Sequence, residues 1–269
     1  MALNEEWKHR IERWQKALWS ACYRPLGSVS LSGFTTLDQL TAEQAAAQAF
    51  RPMPEGTPWG AKWEYGWFKG AVTLPEAAAG QRIVLRLVPG GESLVWVNGK
   101  VAGSIGWAHK EITLTTSARP GDTYELLIES YGGHGHITVG DGPYPFGVES
   151  VPEPGPTQKL VGQSTFGVWR EEIYQAAVDF STLYELRGRL DPLSLRVSEI
   201  DEALMEATLI IDPELPEEEM LETIRAGRAR MKPVLACKNG PSMPTLFAFG
   251  HAHIDVAWLW PLQETERKM

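Results

Sequence analysis

The chain's 269 residues, 43% hydrophobic and 22% charged, have an ordinary globular balance and suffice for one or two cored domains. A formal net charge of −9 speaks against nucleic acid as a partner, since phosphate binding needs a basic face. No apolar run reaches the roughly 18 residues of a membrane span, no signal-peptide pattern opens the chain, and Cys22 and Cys237 stand too far apart for a disulfide framework, so a reducing cytoplasm is the expected location.

Residues 1–58 read as an N-terminal helix and an irregular lead-in. Asn4 is placed to cap a helix, with Glu5 and Glu6 favourable in its first turn. Trp7, Ile11, Trp14 and Leu18 recur at helical spacing and give an apolar docking face through about Tyr23, where Pro25 closes the helix. His9 falls on the polar side. From Leu26 to Pro58, scattered Gly, Pro, Ser and Thr predict irregular chain, with a short helix within 42–50.

Residues 59–156 read as a β-sandwich. Strands are expected over 63–74, 82–88, 93–97, 100–103, 110–115 and 123–129, bounded by Pro and Gly, and Asn98-Gly99 is a two-residue hairpin signal. Short strands with turns between them predict an antiparallel sandwich. The chain has eleven tryptophans; indoles stack on sugar rings, but they also fill sandwich cores. Within 130–136, His134 and His136 stand two apart among glycines. A metal there needs a third ligand, and only Asp141 is near, so a polar loop is the plainer reading. Segments 141–147 and 151–156, rich in Pro and Gly, read as a loop leaving the sandwich.

Residues 157–244 read as a helical connector. Ile173, Ala177, Phe180, Leu183 and Tyr184 recur at helical intervals within 171–190. Asp191 and Pro192 are expected to cap and open a second helix over 193–210. A third, over 217–231, is acidic at its start and basic at its end, as its dipole favours. Pro233 and the 238–244 loop then lead out of it.

The last segment, 245–269, carries the chemistry. Leu246 to Phe249 is an apolar run of the kind that makes a buried strand. His251, His253 and Asp255 follow at alternate positions, which share one side of an extended backbone. Imidazole nitrogen with carboxylate oxygen suits zinc and similar divalent metals. The alternative is a polar strand end with structural histidines.

Residues 250–265, GHAHIDVAWLWPLQET, resemble the opening of the catalytic domain of glycoside hydrolase family 38, the class II α-mannosidases. Trp258, Trp260, Pro261 and Glu264 extend the match beyond a bare His-x-Asp. The order of parts, a helix, a β-rich domain, helices and then this motif, is also similar. Separately, Trp67-Phe68, Val95 to Lys100 and Pro120 to Leu126 resemble the galactose-binding-like jelly roll that precedes many glycosidase catalytic domains.

The resemblance implies a mainly β chain with α-helices: N-terminal helix, jelly-roll sandwich, helical connector, and the first strand of a β/α-barrel-like catalytic domain. It implies zinc as cofactor, with His253 and Asp255 as two of its ligands, and retaining hydrolysis of terminal α-mannosides of oligosaccharides. In the family the nucleophile, general acid and remaining ligands lie well downstream. The resemblance therefore implies an N-terminal portion ending just after the first zinc-binding motif, inactive by itself, with no catalytic residue of its own. A homo-oligomer is a further expectation. Two other readings stay open: a metal-dependent amidohydrolase, in which His251 and His253 would both bind metal, and a carbohydrate-binding or scaffolding sandwich.

Overall fold

A computed structural model describes residues 3–135, 153–238, 240, 244–256 and 259–269. In chain order, α1 (Glu5–Ala21) leads into β1 (Tyr23–Ser28), β2 (Ser32–Thr36), α2 (Ala42–Ala46), β3 (Arg51–Pro52) and β4 (Pro58–Trp59). Then come β5 (Tyr65–Thr73), β6 (Ile83–Arg86), β7 (Glu92–Val97), β8 (Lys100–Ile105), β9 (Glu111–Thr115) and β10 (Thr123–Tyr131). β11 (Lys159–Leu160) and β12 (Thr165–Trp169) precede α3 (Glu171–Arg187), α4 (Leu195–Ile210), α5 (Glu217–Leu235) and α6 (Leu262–Lys268). The chain forms two compact units, one of residues 1–24 and 169–248, the other of 25–168 and 249–269. No helix among the described residues is long and apolar enough to cross a membrane.

The first unit is helical. Asn4 Oδ1 accepts the Trp7 N–H at 2.9 Å, the expected cap. The apolar face of α1 docks within this unit: Ile11 and Leu18 are buried with Ile173, Phe180, Leu183, Ile200 and Leu204. Trp14 is half-buried and donates its indole N–H to the Ile211 carbonyl at 2.9 Å. Helix boundaries differ from expectation at several places. α1 ends at Ala21, so Pro25 does not close it and lies instead within β1. Asp191 does not cap α4; it accepts the Leu193 N–H in a turn, and Ser194 is the cap, accepting from Val197. The turn absorbs Pro192, whose preceding residue is biased away from helix. Pro233 does not end α5 but sits in its last turn, where a missing N–H removes one bond without stopping the chain at Leu235.

The second unit is the sandwich. Its sheets run β1-β12-β6-β9 and β3-β2-β5-β10-β7-β8, with β11-β4 as a separate pair. The β5–β10, β7–β10, β6–β12 and β7–β8 pairings are all antiparallel. Asn98 and Gly99 turn the β7–β8 hairpin with φ of 50° and 75°, the left-handed pair that suits such a turn. Phe68, Val72, Ile83, Leu85, Val95, Ile112, Leu126, Ile128, Phe166 and Val168 form the core.

The sandwich is wider than 59–156. β1, β2 and β3 lie in the expected irregular lead-in, and β11 and β12 lie in the expected helical connector. For β2 the reason is glycine. Gly33 occupies an inward position of β2, where an added Cβ would stand 2.7 Å from Met53 Sδ and from the Trp67 carbonyl. A strand whose inward position is empty shows no apolar alternation.

The motif strand does not form. Leu246, Phe247 and Phe249 are 92%, 87% and 85% exposed in chain without regular structure. No strand among the described residues pairs with them, and an unpaired extended segment has neither ladder hydrogen bonds nor a sheet to cover its side chains. The expectations resting on His136, Asp141, the 141–147 loop and Trp258 lie outside the described residues.

Candidate functional site

The outer face of the six-stranded sheet positions the site. Period-two alternation that sends Phe68 and Ile128 into the core sends Tyr65, Trp67, Leu127, Glu129 and Tyr131 outward. In register, Glu129 stands opposite Trp67 on one side and Leu94 on the other. A carboxylate between an indole and a leucine is costly to bury unless it finds a cation.

That cation is Arg267 of α6. Its Nη1 lies 3.3 Å from Glu129 Oε2, and its Nε and Nη2 lie 2.8 and 2.7 Å from the two carboxylate oxygens of Glu264. Tyr65 donates its hydroxyl to Glu264 at 3.2 Å. Lys268 reaches Glu92 at 2.8 Å and stands 4.1 Å over the Trp260 ring. Glu129 and Glu264 are both buried. Burial raises the Glu129 pKa, Arg267 opposes the rise, and Glu264 adds to it. Tyr65 is pushed up by burial and then by Glu264. Burial works against the Arg267 charge, but the hydrogen bond and charge of Glu264, with Glu129, hold its pKa above the ordinary value.

The same segment carries His251, His253 and Asp255, the residues expected to bind metal. Thr265 donates its hydroxyl to the Asp255 carbonyl at 2.6 Å and so ties the motif to α6. Asp255 is buried, and its Oδ1 lies 3.2 Å from His253 Nε2, while the His253 side chain is 75% exposed. Two ligands of one tetrahedral zinc, each about 2.0–2.1 Å from the metal, stand about 3.3 Å apart, so the pair has donor types and spacing that fit. His251 is exposed and does not join it. No group of three His, Cys, Asp or Glu residues suited to a metal exists among the described residues. The described residues thus bring together one nitrogen and one oxygen donor, His253 and Asp255, and no third.

Beside the pair, two adjoining hollows of about 630 and 520 Å³ share Glu92, Trp107, Trp260 and Lys268. His253 lines the second and His134 the first. His134 packs edge-on to Trp63 at 5.9 Å, burial lowers its pKa, and its Nδ1 has no partner among the described residues. Ser130 is in the sheet and bonds to Ser93 at 2.6 Å, so the glycine-histidine stretch begins as strand.

Sequence reasoning singled out His253 and Asp255, which do lie side by side, but assigned no role to Glu129, Arg267, Lys268 or Trp107. One signal was available for the first: Glu129 is a charge at an alternate position of a strand whose neighbours on that face, Leu127 and Tyr131, are an aliphatic and an aromatic residue.

Comparison with known proteins adds an independent line. Residues 25–151 match the family described as "Alpha-mannosidase, jelly roll domain". The chain is 32% identical over 244 residues, 90% of its length, to Alpha-mannosidase 2C1 of Mus musculus. It is 27% identical over 88% of its length to Alpha-mannosidase 2C1 of Homo sapiens, and 24% identical over 86% to Alpha-mannosidase G of Dictyostelium discoideum. It spans about a fifth of those relatives, 22%, 22% and 21% of their lengths. The resemblance to class II α-mannosidases and the jelly-roll fold are both borne out by these matches.

Proposed function

We propose that this chain, similar over nine-tenths of its length to one fifth of the mouse α-mannosidase, is the N-terminal part of a zinc-dependent, retaining α-mannosidase acting on terminal α-mannosides of oligosaccharides. The observation that supports it most is the His253–Asp255 pair, nitrogen and oxygen 3.2 Å apart at the edge of a cleft. Zinc, when bound, would orient and polarise sugar hydroxyls rather than activate water. Asp255 and His253 would hold it, and Thr265 would keep the Asp255 backbone in place. Retention of configuration calls for two carboxyl groups about 5 Å apart beside the sugar. The pair brings only one, Asp255, and that one is a ligand. This chain by itself is therefore expected to release no p-nitrophenol from p-nitrophenyl α-mannoside above a vector-only preparation; steady turnover would sink the assignment of Asp255 as ligand only.

Zinc binding tests the reading itself. Two donors leave half the coordination sphere to water, so equilibrium dialysis should show weak one-to-one binding. His253→Ala and Asp255→Ala should each abolish it, and His251→Ala should leave it unchanged. The amidohydrolase alternative requires the opposite for His251, and dependence on His251 would favour it. In the cell the reading fits a cytoplasmic protein.

The exposed Leu246, Phe247 and Phe249 support the homo-oligomer as part of this proposal. Sedimentation should show concentration-dependent association that Phe247→Ser with Phe249→Ser reduces; association unchanged in the double variant would remove these residues from any interface.

A further inference from the structure

The loop between β8 and β9 has no evident folding role. The Gly106 N–H donates to the His109 carbonyl at 2.7 Å, which closes the loop and leaves Trp107 at its tip. Trp107 is 86% exposed, although its side chain is the largest apolar surface a residue can offer. It lines both hollows, and so does Trp260, which belongs to the motif segment.

The second hollow, about 520 Å³, lies within the size range of small-molecule sites. Its cations are already partnered: Lys268 with Glu92, and Arg267 with Glu129 and Glu264. That leaves little net charge to select an ion. What remains is two indoles among hydrogen-bonding groups, His109, His253, Glu92 and Lys268. Apolar ring faces edged with polar groups match a neutral sugar, whose C–H faces are apolar and whose rim is hydroxyl. His253 meets the edge of Trp260 at 6.1 Å, so the metal-donor pair and the aromatic groove are continuous.

We infer that this groove takes an α-mannose-containing oligosaccharide, with Trp107 of the jelly roll stacking on a sugar ring next to the His253–Asp255 pair. The inference rests on the α-mannosidase reading for the identity of the sugar, and on the groove alone for its class. The jelly roll then contributes a substrate contact and is more than a spacer.

The test is isothermal titration of this chain with α-linked mannotriose in the presence of EDTA, so that the zinc pair plays no part. Saturable binding is expected. Trp107→Ala should weaken it roughly tenfold or more, whereas Trp107→Phe should retain most of it. Because Trp107 is exposed, both variants should melt as the parent does, which separates lost contact from lost fold. Absence of saturation, or binding indifferent to Trp107→Ala, overturns the groove while leaving the zinc reading untouched. Equal, Trp107-dependent binding of maltotriose overturns the mannoside assignment and leaves an aromatic sugar groove without that specificity.

Discussion

Replacing Arg267 with Met is expected to release the C-terminal segment from the sandwich. The substitution keeps an unbranched, flexible stem but removes the guanidinium, the only cation within hydrogen-bonding reach of both Glu129 and Glu264 among the described residues. Breaking one side of a buried ion pair costs about 3–5 kcal/mol, because the carboxylates left behind are buried without compensation. Here the chain has an escape. The segment can undock and let water reach both carboxylates, so the loss cannot exceed the free energy of docking. The expected readout is therefore local: faster proteolysis within 244–256 and weaker near-ultraviolet dichroism from Trp67 and Trp96, with the sandwich's melting little changed. A melt that collapses as a whole would show that the segment is integral to the sandwich core.

Glu129→Gln should be much milder. The amide oxygen can still accept from Arg267, and the desolvation cost of a buried charge disappears. The pH dependence follows from the same balance. The folded pKa of Glu129 lies above its unfolded value, with burial as the largest cause. Its contribution to docking is then fully present below the unfolded carboxylate range and is lost as pH rises through the folded value. Protection of 244–256 should weaken across that window in the parent and lose this dependence in Glu129→Gln.

The second large effect is expected inside the sandwich. Phe68 is fully buried between the two sheets, in edge contact with Trp59 at 5.6 Å. Phe68→Ala should cost about 3–5 kcal/mol, transfer and cavity terms together. Urea unfolding should show the midpoint falling with the slope nearly constant. The neighbouring Trp67 points to the other face, where it stacks on Trp96 at 5.8 Å. Trp67→Ala should instead act on the docking of the C-terminal segment and resemble Arg267→Met in its proteolysis. If both substitutions gave the same global loss, the separation of the two faces of β5 would be wrong.

The parts legible in the sequence are those made by neighbours along the chain. Asn4 caps α1 because its acceptor and the Trp7 N–H are three residues apart. Asn98-Gly99 turns its hairpin because two residues with positive φ suffice. β5, β7 and β10 are legible because aromatic and β-branched residues fill short runs bounded by Pro and Gly turns. His253 and Asp255 meet because two residues in extended chain point the same way.

Tertiary structure alone decided the rest, and the reason in each case is separation or absence. β2 belongs to the sandwich through Gly33, whose missing side chain is what lets Met53 and Phe68 close around it, and a missing side chain leaves no periodic signal. Leu246 to Phe249 has the composition of a strand, yet a strand exists only where another backbone meets its hydrogen bonds, and none among the described residues does. Glu129 and Arg267 are 138 residues apart, so no local pattern could pair them; the sheet turned Glu129 outward, and folding of the segment brought α6 over it. Trp107 is the same kind of case. Its identity is written in the sequence, but only the closed loop and the cleft beneath it leave the ring outside the core and in the same hollow as His253.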